Sequence, residues 1–542
     1  MILRSCLLLI LISINSFILT KFLYPDAPMS AIDWLAKKIN DPPEFYTYQS
    51  EIEKNNNNEI EKNVLPNISK NSIGIYPSIK IGINSDIWKN SNEIEISSVL
   101  EKIKISDLYY LNRLLKRILL FESDPPIIVV DQEFSGTLFL RQRISKLIQM
   151  GALDDAEALI LDADPTFDPN LIDLWSEISF LTYRFERFCN AVLNGYHNSL
   201  EPAHKIICLA RSGDWNAAAL SLATYSSINE IDSDDEKLLI NYLDHEAELE
   251  IMNKDKCDED KSIIIYLCNF SNINTQIPSY GVKFLYNNLS RGKSIRSRIV
   301  ASEELVKSGA LNPSILFSNY KIKRPSTSGG IWARAKLVQE LDRIIQYDLN
   351  NHQFLFDHLN IMTKEFLKNK LLTAFATSYG KKLRLNNSNY SPLNDLILII
   401  NILSGEYGDL LEKYIVVNPK LKNLIGVLNK RDKQLIDTNF KDNHTTIFNK
   451  KYTELQNAIL KASSGIYPEK IIFTHDKKND NSNQDGLVLL NAIFKISNSS
   501  NFNITDVQTG LASLVKLGLV NDFKNISNEL LIREYFKKNL GI

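Results

Sequence analysis

ISKLIQMGALDDAEALIL, residues Ile144–Leu161, has the pattern of two short helices joined by a turn. Gly151 stands between two apolar stripes at helical spacing, and glycine readily adopts the left-handed conformation that ends a helix. The stretch therefore predicts an antiparallel helix pair. The stripes consist of Ile144, Leu147 and Ile148 before the glycine and of Ala156, Leu159 and Ile160 after it.

Three further stretches repeat this pattern at irregular intervals. They are CLARSGDWNAAALSL at Cys208–Leu222, ELVKSGALNPSILF at Glu304–Phe317 and SLVKLGLVNDFKNISNELL at Ser513–Leu531. Helix pairs of this kind stack on one another, because a single pair cannot bury its apolar face alone. The predicted fold is therefore all-α, with irregular tetratricopeptide-like helix-pair repeats arranged as an α-solenoid.

Composition and pattern divide the chain into five predicted segments. The last of them begins at Ser106, a candidate N-cap, which precedes an apolar stripe at helical spacing. In chain order the segments are 1–26, a signal peptide or N-terminal anchor; 27–47, a short amphipathic helix; 48–73, a disordered linker; 74–105, a loop-rich segment; and 106–542, the helical-repeat body.

The first segment has the features of an export signal. Arg4 supplies a positive charge, and a mostly apolar run extends from Cys6 to Leu19. This length suits the apolar core of a signal peptide and falls short of the roughly 18–20 apolar residues of a membrane-spanning helix. The sequence predicts a periplasmic or otherwise exported protein of the bacterial envelope. The alternatives are an uncleaved anchor, which would provide the only membrane contact, and a buried helix of a cytosolic protein.

The overall composition predicts a folded protein without a dominant charge. The 542 residues are 44% hydrophobic, and 62 basic against 64 acidic residues leave a formal net charge of −2. No global field therefore attracts nucleic acid. The sequence predicts protein partners and no nucleic-acid partner.

The cysteines after Cys6 form two local pairs. Cys189 and Cys208 are equidistant from a turn-like segment, so they would face each other in an antiparallel helix pair. Cys257 and Cys268 flank a charged loop and form the second candidate pair. Disulfides at these positions would agree with export, whereas buried free thiols are the alternative for the first pair.

Two incomplete motifs argue against nucleotide hydrolysis and metal chemistry. Arg291–Ser294 ends like a phosphate-binding loop, but Asn287 occupies the position where that motif requires glycine. His245 begins a string that resembles HExxH, and its fifth residue is Leu249 instead of histidine. The sequence therefore predicts no metal site, no cofactor and no catalytic residue.

One basic segment is a candidate site for an anionic group. Cations precede a Ser- and Gly-rich turn that opens a helix, and backbone amides at a helix start favour anions. The alternative is that Ser328 caps the helix while Gly329 and Gly330 form the turn. The candidate residues are Lys321, Lys323, Arg324, Ser328, Gly329, Gly330 and Arg334.

Five stretches together give the chain a family resemblance. They are APMSAIDWL, KLIQMGALDDAEALI, CLARSGDWNAAAL, KSGALNP and SGGIWARAKLVQELD. This combination resembles an uncharacterised family of exported bacterial helical-repeat proteins, some of them named as antifreeze glycopeptide polyprotein-like. The resemblance implies tetratricopeptide-like helix pairs and no catalytic residues. Because the chain lacks an Ala-Ala-Thr tandem repeat, the antifreeze name implies no ice binding here.

The functional expectation follows from the architecture and the predicted location. Helical repeats commonly present surfaces to partners, so the sequence predicts an exported binding or assembly module of the bacterial envelope without catalysis. The alternative is an envelope enzyme that acts on cell-wall glycan through dispersed carboxylates, because such a pair leaves no sequence signature.

Overall fold

Helices are the only regular secondary structure in the described part of the chain. The computed structural model describes residues 69–129, 134, 136–195, 200–244, 256–257, 259–271, 281–347, 350–383, 390–408, 418–436, 453–468, 484–498 and 503–540. The all-α class is therefore confirmed. The predicted segments 1–26 and 27–47 lie outside the described residues, as does most of 48–73.

The α-helices are numbered in chain order. They are α1 (Ser78–Ile81), α2 (Glu93–Lys102), α3 (Tyr109–Leu120), α4 (Leu138–Met150), α5 (Leu153–Asp162), α6 (Ile172–Thr182), α7 (Glu186–Leu193), α8 (Pro202–Arg211), α9 (Trp215–Ser227), α10 (Ser233–Leu243), α11 (Ser262–Phe270), α12 (Ile295–Lys307), α13 (Pro313–Asn319), α14 (Ile331–Tyr347), α15 (His352–Lys368), α16 (Leu372–Tyr379), α17 (Ser391–Ser404), α18 (Pro419–Ile436), α19 (Glu454–Ser463), α20 (Asp485–Ser497), α21 (Ile504–Lys516) and α22 (Val520–Leu540). Short 3₁₀ helices are Lys70–Ser72, Ser85–Trp88, Pro165–Phe167, Val282–Leu289 and Lys381–Leu383.

All four helix pairs predicted from the repeated pattern are present. They are α4–α5, α8–α9, α12–α13 and α21–α22, and the two helices of each pair pack against each other. In each pair a glycine with a positive φ lies between the helices. These glycines are Gly151, Gly213, Gly309 and Gly518.

Gly151 shows why the turn requires glycine. It ends α4 with φ 77°, and its amide donates to the Ile148 carbonyl. A Cβ atom at this position would lie 2.4 Å from the Leu305 side chain. Both the left-handed backbone and the close approach of α12 therefore exclude a larger residue.

The helices do not continue as an open α-solenoid, because the last helices return to the first. The C-terminal helix α22 packs against α3, and α20 packs against α2 and α3. Residues 67–542 accordingly form one compact unit. The solenoid part of the prediction is therefore not confirmed.

Glu529 of α22 caps the N-terminus of α3. Its buried carboxylate accepts the amide of Tyr109 at 3.0 Å and the amide of Tyr110 at 3.1 Å. Ser106, the predicted N-cap, instead accepts the amide of Leu108 before the helix begins. Because a helix N-terminus favours negative charge, a residue 420 positions away stabilises the start of α3.

Arg143 of α4 binds the opposite end of α3. Its fully buried guanidinium donates to the Leu119 carbonyl at 2.9 Å and to the Phe121 carbonyl at 3.1 Å. It also donates to the Asn71 and Ile73 carbonyls. A helix C-terminus favours positive charge, so α3 has a complementary charged group from another helix at each end. Burial lowers the pKa of Arg143.

The N-terminus of α4 is capped in the same long-range manner. The carboxylate of Glu93 accepts the Phe139 amide at 3.3 Å and the Asn71 side-chain amide at 2.7 Å. Asn71 in turn accepts the Leu140 amide at 3.0 Å. Two buried side chains that lie far away in sequence therefore replace a local N-cap.

Two predicted segments, 48–73 and 74–105, differ from the structure where these capping residues lie. Residues 69–73, predicted as the end of a disordered linker, contain the fully buried Asn71. The segment predicted to be loop-rich, 74–105, contains α1 and the ten-residue helix α2. Polar residues such as Asn71 and Glu93 are not exposed here, because they bind backbone groups at the N-terminus of α4.

Two disulfides join the predicted cysteine pairs. Cys189 at α7 is bonded to Cys208 at α8, and Cys257 is bonded to Cys268 in α11. Cys189 and Cys208 are both buried, and their Cα atoms are 5.0 Å apart. The first bond therefore links consecutive helices across the short connection expected from the sequence.

The double substitution Cys189→Ala/Cys208→Ala should lower the free energy of unfolding by about 3 kcal/mol, because it releases a loop constraint on the unfolded chain. Urea denaturation of the oxidised wild type and the variant measures this difference. The reduced wild type serves as the comparison, and it should lose at least as much stability. Equal unfolding free energies for the oxidised wild type and the variant would contradict the prediction.

Candidate functional site

The predicted anion site does not assemble around Arg334. This guanidinium lies in the core and binds Glu303 at 2.7 Å and Glu365 at 3.0 Å. The Tyr320 hydroxyl also donates to Glu303. Arg334 is therefore part of an internal ion-pair network that joins α12, α14 and α15, and it is not available to a ligand.

The remaining residues of that candidate site lie on the surface. Lys321 pairs with Asp342 at 2.6 Å, whereas Lys323 and Arg324 are exposed. Gly329 and Gly330 both have positive φ and form the turn before α14. Ser328 is exposed and receives a hydrogen bond from Ser326. The turn interpretation of Gly329 and Gly330 therefore fits the structure, and the ligand-binding interpretation of the full set does not.

A different site, here called the α3 cavity, lies along the polar face of α3. Its volume is about 510 Å³. Besides α3, its walls come from α5, the α12–α13 turn, α16 and α22, together with residues 76 and 81. The cavity thus depends on the return of the C-terminal helices to the start of the fold. Its size lies within the range of small-ligand sites.

Three cations of α3 face this cavity. Arg113, Lys116 and Arg117 have the spacing of neighbours on one helix face. Lys116 pairs with Asp155 at 2.7 Å, and Arg117 pairs with Asp522 at 2.7 Å. Both carboxylates also line the cavity, so the lining retains one surplus positive charge.

The surplus charge belongs to Arg113. Its side chain is exposed, and within the described residues it forms no ion pair with a carboxylate. Its guanidinium lies 5.7 Å from the centre of the Tyr109 ring. Arg113 therefore offers the cavity a cationic donor that a single anionic group can bind.

Two tyrosines, Tyr109 and Tyr110, also line the cavity. Burial raises the pKa of Tyr109 and that of Tyr110, so both hydroxyls remain protonated and act as donors at neutral pH. The Tyr110 hydroxyl donates to the Leu403 carbonyl at 2.6 Å. Further polar groups in the lining come from Asn312, Thr377, Ser378 and Asn525.

The carboxylates of the α3 cavity are held in ion pairs. Asp155 and Asp522, the two carboxylates of its lining, each bind a cation. In the described part of the chain, no group of three His, Cys, Asp or Glu side chains is arranged to hold a metal ion. The groups that line the α3 cavity can recognise an anion beside an aromatic surface.

No described helix is long and apolar enough to cross a membrane.

Sequence reasoning missed this site because it used only the apolar stripe of α3. The available signal was the spacing of Arg113, Lys116 and Arg117 on the opposite face. That spacing alone could not identify the surrounding walls, because they come from distant parts of the chain. These walls lie at residues 76, 81, 155, 309–313, 377–378 and 522–525.

Comparison with known proteins gives no relative on which to base a function. The chain matches no protein-family model, and searches of curated proteins and of solved structures give no significant match. The geometry of the α3 cavity is therefore the basis for assigning a function.

Proposed function

We propose that this protein is a non-catalytic binding module of the bacterial envelope that holds a carboxylate-bearing segment of a protein partner in the α3 cavity. The observation that carries this proposal is Arg113, which forms no ion pair with any described carboxylate, beside two neutralised cation–carboxylate pairs. Because the cavity lining has one surplus positive charge, it suits one carboxylate better than a highly charged ligand.

The other groups of the cavity suit a peptide segment. The side-chain amides of Asn312 and Asn525 can bind peptide groups, although the Asn312 oxygen also caps α13. The rings of Tyr109 and Tyr110, which are largely buried, contribute apolar wall. The walls belong to elements that are far apart in sequence, so the site is held by the closed fold and requires little ordering when it binds. Such preorganisation favours affinity.

Export is part of the proposal and has separate support. The N-terminal sequence has the pattern of a signal peptide, and both local cysteine pairs form disulfides in the fold. Disulfides persist mainly in oxidising compartments such as the periplasm. The glycan-enzyme alternative has no comparable support in the α3 cavity, because both carboxylates there are ion-paired.

Arg113→Glu should abolish partner binding while leaving the fold intact, because it places a carboxylate where the partner's carboxylate binds. We expect at least a tenfold loss, about 1.4 kcal/mol, which is the lower range for a charge-assisted hydrogen bond. The measurement is in-cell photo-crosslinking from a benzophenone side chain introduced at Ser378 in the cavity wall. The yield of one defined adduct is compared between the wild-type and Arg113→Glu backgrounds.

The same photoreactive group at Thr224, on the exposed face of α9, is the positional control. It should not produce the Ser378 adduct. Arg187→Glu is the charge control, because Arg187 is exposed and lies outside the cavity. An adduct that persists in Arg113→Glu, or the absence of a Ser378-specific adduct, would overturn the binding proposal. Mass and thiol count of the fractionated protein test export independently.

A further inference from the structure

Positive charge is concentrated in one part of an otherwise balanced chain. Residues Ser271–Gln339 contain eleven Lys or Arg residues, but only Glu303 and Glu304 are acidic. The full chain has a formal net charge of −2, so this concentration is not a consequence of a generally basic composition. The positions of these cations in the fold therefore decide whether they form one surface.

Internal ion pairs account for about half of these cations. Arg334 binds Glu303 and Glu365, and four lysines pair with nearby carboxylates. The paired lysines are Lys283, Lys307, Lys321 and Lys336. The cations that form no ion pair within the described residues are Arg291, Lys293, Arg296, Arg298, Lys323 and Arg324.

The fold brings the unpaired cations to the same end of the α12–α13 pair. Arg298 near the start of α12 donates to Asn319 at the end of α13 at 3.0 Å. The Lys323 and Arg324 loop follows Asn319 directly, and Arg296 lies in the first turn of α12. A helix rises about 1.5 Å per residue, so the start of α12 lies within about 10 Å of the same point.

We call this surface the basic end and define it by Arg291, Lys293, Arg296, Lys323 and Arg324, all of which are exposed. Ile322, which is 45% exposed, immediately precedes Lys323 and Arg324 in the chain. In the described structure, neither the segment 290–298 nor the segment 318–328 contains an acidic residue. Several exposed cations with an exposed apolar side chain among them match a surface that combines negative charge with an apolar layer.

We propose that the basic end binds the anionic phospholipid surface of a membrane. Clustered Lys and Arg side chains are attracted to anionic headgroups, and an exposed isoleucine can enter the apolar boundary beneath them. An acidic protein would satisfy the cations but not the exposed Ile322. This contact is separate from the α3 cavity, and it would hold the helical body at a membrane without a spanning segment.

The test is co-sedimentation of the full-length protein with lipid vesicles at low ionic strength. Vesicles with equal parts of phosphatidylcholine and phosphatidylglycerol should bind the protein, whereas pure phosphatidylcholine vesicles should not. Binding should weaken steeply as salt increases, because the Debye length falls to about 3 Å at 1 M salt. Absence of binding to the anionic vesicles, or equal binding to both kinds, would overturn the proposal.

Two charge-reversal variants test whether the separate segments form one surface. Lys323→Glu/Arg324→Glu and Arg291→Glu/Lys293→Glu should each weaken vesicle binding by at least about tenfold. The control Lys102→Glu/Lys104→Glu changes net charge by the same amount at exposed positions near the end of α2. It should retain binding within about twofold, since it leaves the local cluster intact. An equal loss in this control would contradict a localised surface.

Two further measurements separate the alternatives. Ile322→Ser should weaken vesicle binding without a change in charge, whereas binding to polyglutamate would not depend on this side chain. Retention on polyglutamate without vesicle binding would overturn the membrane proposal in favour of an acidic protein. Arg113→Glu should leave vesicle binding unchanged, because Arg113 lies in the α3 cavity and not at the basic end. The proposed partner binding and the proposed membrane binding can therefore fail independently.

Discussion

Glu529→Leu is expected to lower the free energy of unfolding by about 3–5 kcal/mol, the range for removing one partner of a buried charged network. The substitution leaves the amides of Tyr109 and Tyr110 at the start of α3 without their acceptor. It also removes the acceptor of the Thr373 hydroxyl and the carboxylate that binds Arg533. Urea denaturation followed by far-ultraviolet circular dichroism measures the loss. Glu529→Gln should be intermediate, because it retains an acceptor oxygen but loses the negative charge.

Glu304→Leu is the matched control for this prediction. Glu304 is also a helical glutamate bound to a cation, but its side chain is 42% exposed and its one ion pair within the described structure is with Lys307. Exposed pairs contribute about 0–1 kcal/mol, so the control should remain close to the wild type. If both variants lost the same stability, long-range capping by Glu529 would not be the reason for its burial.

Arg143→Met is expected to cost about 3–4 kcal/mol, because four carbonyl groups, most of them buried, would lose a cationic donor while the apolar packing is largely retained. Two of these carbonyls, at Leu119 and Phe121, belong to the end of α3 and the residue that follows it. The others belong to Asn71 and Ile73. The measurement is the same urea denaturation, with amide hydrogen exchange to locate the opened region at the C-terminal end of α3 and at residues 71–73.

Arg141→Met, on the same helix, is the control for Arg143→Met. It removes an ion pair with an exposed carboxylate instead of a buried cap. Arg141 binds Asp173 through two nitrogen atoms at 2.7 Å, and the Asp173 side chain is 55% exposed. This variant should cost about 1 kcal/mol, clearly less than Arg143→Met, because solvent screens the exposed Asp173 even though the Arg141 side chain is only 14% exposed. Equal losses for Arg141→Met and Arg143→Met, or exchange confined to another part of the fold, would contradict the proposed role of Arg143.

The helix pairs could be predicted because their signals are local. Apolar spacing on both sides of Gly151 and Gly309 requires only a few neighbouring residues, and the backbone preference of glycine acts within one turn. The cysteine pair Cys189–Cys208 could be predicted for the same reason, because its two members flank one short connection. The predicted anion site was wrong at Arg334, because this residue binds Glu303 and Glu365. These acidic partners lie on other helices, so local sequence did not indicate them.

Sequence by itself therefore determined the helical class, the paired helices and the positions of the glycine turns. Only the tertiary structure decided that the C-terminal helices return to α2 and α3. That return brings Glu529 to Tyr109 and joins Asp522 to Arg117, and it thereby creates the α3 cavity. The physical reason is that helix periodicity identifies a buried face but not its partner, whereas ion pairs and caps between distant residues select one arrangement.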